Sequence, residues 1–178
     1  MNLRKIIPFY IISIFLGIYF LSLVHSFILN PLTAIIFPVN NSLWETNKLF
    51  FITILIINMF LYFKLNINQR SHIVLATFIH AATLITIYNV FYLIFKPSNE
   101  LIINLIILFG IIIGTYLWYK IIISVFSLKV LNHCAVILTF NALVLFAVLT
   151  YHPVPNSLFY DHTNKRLGLF KYNGHISD

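Results

Sequence analysis

Apolar residues run in five blocks, at 6–24, 43–64, 72–95, 101–125 and 131–151, each 19 to 25 positions long. A helix needs about 20 mostly apolar residues to match the roughly 30 Å hydrocarbon core of a bilayer. Each block therefore predicts a transmembrane helix, and the set predicts an all-α, polytopic bundle of five spans over residues 1–151 with a tail at 152–178. The links carry helix stops and turn formers: Asn30-Pro31 and Pro38 after the first block, residues 66–71 after the second, and Lys96-Pro97-Ser98-Asn99 after the third. The fourth link is the weakest, because 121–131 stays apolar apart from Ser124, Ser127 and Lys129. It reads as an elbow at the membrane interface.

The first block follows Arg4 and Lys5, as the apolar core of a signal peptide would. It is too long for that role and does not end in small residues of the A-x-A kind. It is kept as the first span, with Pro8 in its opening turn, where a missing N–H costs little.

Composition agrees, at 61% hydrophobic and 8% charged residues. The net charge of +7 points to no nucleic-acid partner, because most of the cations flank apolar blocks, where they anchor against headgroups. With the amino terminus inside, Arg4, Lys5, Lys64, Arg70, Lys120 and Lys129 fall on the inner face, while the short outer loops hold only Lys48 and Lys96. The positive-inside rule then places the carboxyl terminus outside and the chain as a multi-pass protein of the cell membrane, with lipid as its constant partner. A single Cys134 allows no intrachain disulfide and no thiolate metal site.

That threading gathers polar residues at the outer ends of the spans: His25, Glu45, Asn89, Tyr92, Asn104 and His152. Asp161, carried by Pro153 and Pro155, is able to fold back toward them. Ionisable groups in or beside spans are functional candidates by default. His25, Glu45, His152 and Asp161 have the ligand chemistry for a divalent metal, or for acid and base work. A structural reading competes. Ser42-Leu43-Trp44-Glu45 fits the S-x-x-E capping box, in which the Ser hydroxyl and the Glu carboxylate satisfy amide donors at a helix start, Glu45 bonding the amide of Ser42. Lys48 lies three residues on, within reach of Glu45, and Trp44 would sit in the aromatic belt.

Thr77, His80 and Thr83 form a stripe that should face protein, with His80 as a neutral imidazole bonded to a hydroxyl or a carbonyl. Asn58, Asn89, Asn104 and Asn141 place one amide in each of the last four spans, as interhelical glue. Gly110 and Gly114 form a GxxxG that lets two helices approach, either within one chain or between two copies in a homo-oligomer. His72, His133, His162 and His175 read as solvated.

The run Pro38-Val39-Asn40-Asn41-Ser42-Leu43-Trp44-Glu45-Thr46-Asn47-Lys48-Leu49, with the later Pro153, Leu158-Phe159-Tyr160-Asp161 and Gly168, resembles a family of small polytopic bacterial membrane proteins with a P-V-N-E-S-x-W-E-H-x-K-L motif and a terminal L-F-x-D segment. The resemblance implies no defined activity. Asn41 and Thr46 stand where that pattern has Glu and His, so two ionisable groups are missing, whereas Asn40, Ser42, Trp44, Glu45 and Lys48, the set of a helix start, are kept.

The reading favoured is a non-catalytic lipid- or partner-binding bundle with a polar pocket on its outer face. The alternative is a membrane-embedded metal-dependent hydrolase or transferase using His25, Glu45, His152 and Asp161. A small transporter subunit comes third, with a path along Asn58, His80 and Asn141. No residue specifies a cofactor.

Overall fold

A computed structural model describes residues 3–27, 33–97, 99–124, 129–155, 157–161, 166–167 and 170–171. Its long elements are helices α1 (Leu3–Phe27), α2 (Leu43–Tyr62), α4 (Ile73–Phe95), α5 (Glu100–Ile122) and α6 (Lys129–Tyr151), with a four-residue α3 (Ile67–Arg70) and a 3₁₀ turn (Thr33–Ile35) between them. The five long helices are each apolar and long enough to cross a membrane, so the chain is an all-α polytopic bundle.

Local chemistry sets most of the boundaries. Ser42 caps α2, its Oγ accepting the Glu45 amide at 3.3 Å. Asn99 caps α5 through the Leu101 amide at 2.8 Å, and Glu100 adds a favourable charge in the first turn. α4 stops where Lys96 turns left-handed at φ 39° ahead of Pro97. α1 begins earlier than predicted, so Pro8 is its sixth residue and removes the N–H that would reach the Arg4 carbonyl. The polar 66–71 link forms α3, because the Asn66 amide donates to Gln69 Oε1 at 3.2 Å and closes a turn. The elbow predicted for 121–131 falls partly outside the described residues, between the end of α5 at Ile122 and the start of α6 at Lys129.

α4 lies at the centre, against α2, α5 and α6, while α1 packs on α2 and α5. The core is built from Ile14, Phe50, Ile54, Ala76, Ala81, Leu84 and Ile111, all sealed from solvent. Large apolar side chains, Phe9, Phe20, Phe60 and Phe95 among them, stand on the outside, whereas Glu45, Lys48, Asn58 and His80 are buried. That inversion suits a hydrocarbon surround, where polar groups must find partners inside the protein.

Gly110 and Gly114 bring α5 onto α4. A Cβ on Gly110 would meet Leu84 Cδ1 at 2.7 Å, and one on Gly114 would fall onto the His80 ring. Within the chain, the helix that lies against the GxxxG is α4. Beyond α6, the tail carries an antiparallel order of three two-residue strands that the sequence reading lacked: β1 (Tyr160–Asp161), β2 (Arg166–Leu167) and β3 (Phe170–Lys171).

Candidate functional site

Three polar features stand out, and the first occupies the Glu45 end of the bundle. Glu45 and Lys48 are one helical turn apart on α2 and form an ion pair at 2.5 Å, both fully buried. The second carboxylate partner is the Val39 amide, which donates to Oε2 at 3.1 Å. The third is Thr150 of α6, whose hydroxyl donates to Oε1 at 3.0 Å while sharing its hydrogen with the Phe146 carbonyl. Lys48 Nζ in turn donates to Thr150 Oγ1 at 3.0 Å and to the Ala34 carbonyl at 2.8 Å. One buried pair thus ties α2, α6 and the 33–39 segment together. Buried charges persist when paired and saturated with hydrogen bonds, and this pair meets both conditions.

The capping box is only half made. Ser42 takes the Glu45 amide as predicted, but Glu45 does not return the bond. The Ser42 amide is already held by Asn40 Oδ1 at 2.9 Å, an Asx turn, and the carboxylate is drawn to Lys48, Val39 and Thr150 instead. The Trp44 ring packs on Phe146 and Phe159 at 5.0 and 5.1 Å, and its indole N–H is buried without an acceptor.

The tail returns to this end. The Trp44 amide donates to the Leu158 carbonyl at 3.0 Å, and the Asn41 amide donates to Asp161 Oδ2 at 3.0 Å. Asp161 is buried, its carboxylate latching the tail to the turn before α2. His152 is exposed, and the His25 side chain lies outside the described residues. Among the described residues no three His, Cys, Asp or Glu side chains gather where they would hold a metal ion. Asn40, Ser42, Trp44, Glu45 and Lys48 serve the turn, the cap, the aromatic packing and the ion pair.

A second network lies deep in the bundle. The Trp118 indole N–H donates to Asn58 Oδ1 at 2.8 Å. Asn58 Nδ2 donates to the Tyr10 hydroxyl at 2.8 Å and to the Ile54 carbonyl at 2.9 Å. Tyr10 shares a hydrogen bond with His80 Nδ1 at 3.1 Å and stacks on Trp118. The imidazole is therefore bonded to a hydroxyl, that of Tyr10 in α1. Its Nε2 has no partner and abuts α5 at Gly114. Asn104 accepts from the Tyr19 hydroxyl, another link between α1 and α5. Asn141 faces outward, apart from Asn58 and His80, so the three do not line one path.

The third feature is a groove of about 240 Å³ between α2, α4 and α6, at the end of α2 opposite Glu45. Leu55, Met59, Ile73 and Val74 form its walls, and Asn58 and Thr139 also line it. Thr139 Oγ1 is buried there without a partner. Arg70 closes the group, its guanidinium 5.2 Å from the Tyr62 ring centre. Nε donates to the Leu65 carbonyl at 2.9 Å and Nη2 to the Phe63 carbonyl at 3.3 Å. A guanidinium has five N–H donors, so three stay available.

Sequence reasoning missed Thr150, Tyr10, Trp118 and this groove. Their signal was a polar or aromatic atom inside an apolar block, which hydropathy averages away. Fold and sites together define a class, a five-span helical membrane bundle with a buried ion pair and a cation-headed groove. Compared with family models, curated proteins and solved structures, the chain matches none.

Proposed function

We propose that the chain is a non-catalytic lipid-binding protein whose ligand site is the groove at Arg70. The observation that carries this reading is an apolar trough ending in a guanidinium with unspent donors. An acyl chain suits the walls, and a headgroup phosphate suits the arginine fork. The binding surface is thereby moved from the Glu45 end, where the sequence suggested a polar pocket, to the opposite end. At the Glu45 end the charges are mutually neutralised and buried, an arrangement suited to holding helices together.

Threaded with the amino terminus inside, as the basic residues favour, the protein presents Arg70 to the cytoplasmic leaflet of a bacterial cell membrane. Anionic headgroups are enriched there. The likeness to the small polytopic bacterial family is compatible with this role and adds no activity to it.

The test is native mass spectrometry of detergent-purified protein titrated with phosphatidylglycerol and, separately, phosphatidylcholine. One phosphatidylglycerol per chain should be retained preferentially. Charged hydrogen bonds contribute about 1.5–3 kcal/mol, so Arg70→Gln should weaken retention at least about tenfold. Met59→Trp, which fills the trough, should abolish it. Equal retention of both lipids by the wild type and by Arg70→Gln overturns the assignment.

A further inference from the structure

α6 and α1 are the two least covered spans: 22% of the apolar window of α6 and 17% of that of α1 are buried, against 56%, 44% and 39% for α2, α4 and α5. The inner face of α6, with Ala135, Phe146 and Thr150 buried, packs on the bundle. The opposite face carries Val130, Cys134, Ile137, Asn141, Val144 and Val148, all exposed. At 3.6 residues per turn these six lie within an arc of about 80°. Their spacing alternates four, three, four, three, four, the repeat of a two-helix seam in which Cys134, Asn141 and Val148 share one heptad position.

Asn141 is what an apolar lipid surface does not explain. Among the described residues it is the one amide in a span whose side chain is exposed, and it has no hydrogen-bond partner. It lies 12 residues past Lys129 and 10 before Tyr151, so roughly 15 Å of helix separates it from either interface. That is beyond what a short amide spans by bending toward water. In hydrocarbon its donors and acceptor need protein partners. An amide carries both kinds of group, so two copies of Asn141 facing each other across a two-fold axis satisfy one another.

We infer that α6 is a homodimer interface, in which the face from Val130 to Val148 meets the same face of a second copy and Asn141 pairs with its symmetry mate. The two copies lie parallel, as chains inserted in one orientation must. Ile137 and Val144 flank the amide along the seam, and both are β-branched and stiff, so they lose little rotamer freedom on contact. Cys134, one heptad before Asn141, then faces its own counterpart. The Gly110 and Gly114 face takes no part, being covered by α4.

Cys134 is the chain's one cysteine, which makes the test direct. Purified protein in liposomes, treated with copper phenanthroline, should give a product near twice the 20.7 kDa chain mass. In a Cys134→Ser background, Ile137→Cys should cross-link and Leu138→Cys should not, although Ile137 and Leu138 are both exposed in the chain, at 62% and 47%. Asn141→Leu should lower the association constant roughly 3- to 30-fold, read from the cross-linked fraction as the protein is diluted with lipid. It leaves the helix content of the chain by circular dichroism unchanged, because position 141 is exposed within the chain and leucine there disturbs no intrachain contact. Asn141→Gln should restore association in part. Equal yields at 137 and 138, no dimer from Cys134 or Ile137→Cys, or Asn141→Leu associating like the wild type would each overturn the inference.

Discussion

Lys48→Met removes the countercharge of Glu45 while keeping an apolar stem of similar length in the same space. The carboxylate retains the Val39 amide and the Thr150 hydroxyl, at 3.1 and 3.0 Å, and loses its cation at 2.5 Å. Breaking a buried pair from one side costs about 3–5 kcal/mol, because a charge stays behind without its partner. A limit follows from protonation. A carboxyl group that titrates near pH 4.3 in water needs about 3.7 kcal/mol to take up a proton at pH 7, so the penalty saturates near that figure. For a chain of this size it corresponds to a fall in Tm of roughly 7–15 °C, measured by circular dichroism in a mild detergent. Removing both charges with Lys48→Met and Glu45→Leu should recover most of the loss, as replacing whole buried pairs by apolar residues often does. A single variant that melts with the wild type at pH 7, or a double variant less stable than Lys48→Met alone, would refute the account of this pair as a mutually dependent lock.

Gly114→Ala should destabilise by about 1–3 kcal/mol, because its Cβ meets the imidazole of a fully buried His80. Gly110→Ala should cost less, since it meets the flexible end of Leu84; the two are ranked by thermal unfolding. Trp118→Phe strips the donor from Asn58 Oδ1 and should lose about 1–3 kcal/mol in the same assay. Asp161→Ala removes the acceptor of the Asn41 amide and loosens the tail, so Trp44, packed on Phe159, should become more accessible to a water-soluble quencher. Fluorescence quenching checks this last outcome, with the fully buried Trp118 as the internal reference that stays dark to the quencher.

The role of the Glu45 segment was legible as far as short spacings reach. Ser42 as a cap and Lys48 as the partner of Glu45 follow from three-residue separations on a helix, and the structure contains both. The reciprocal bond from Glu45 to Ser42 follows from the same spacing and is absent. Thr150, 105 residues away, competes for the carboxylate, and no local pattern announces it.

What the sequence by itself determined is the solvent and the number of crossings. Hydrocarbon accepts a chain only as segments of about 20 apolar residues with internally paired backbones, and that requirement is met residue by residue along each block. What the tertiary structure alone decided is which face of each helix turns inward. Lipid is as apolar as a protein core, so an inward leucine and an outward one look alike in the chain. Asn58 and Asn141 read as equivalent glue, yet one is the hub of a buried network and the other faces outward from α6. Gly110 and Gly114 likewise suited a neighbour within the chain or beyond it. The structure sets α4 against them, with Leu84 and His80 at the contact, which the chain could not announce because small residues permit close approach without naming the helix that approaches.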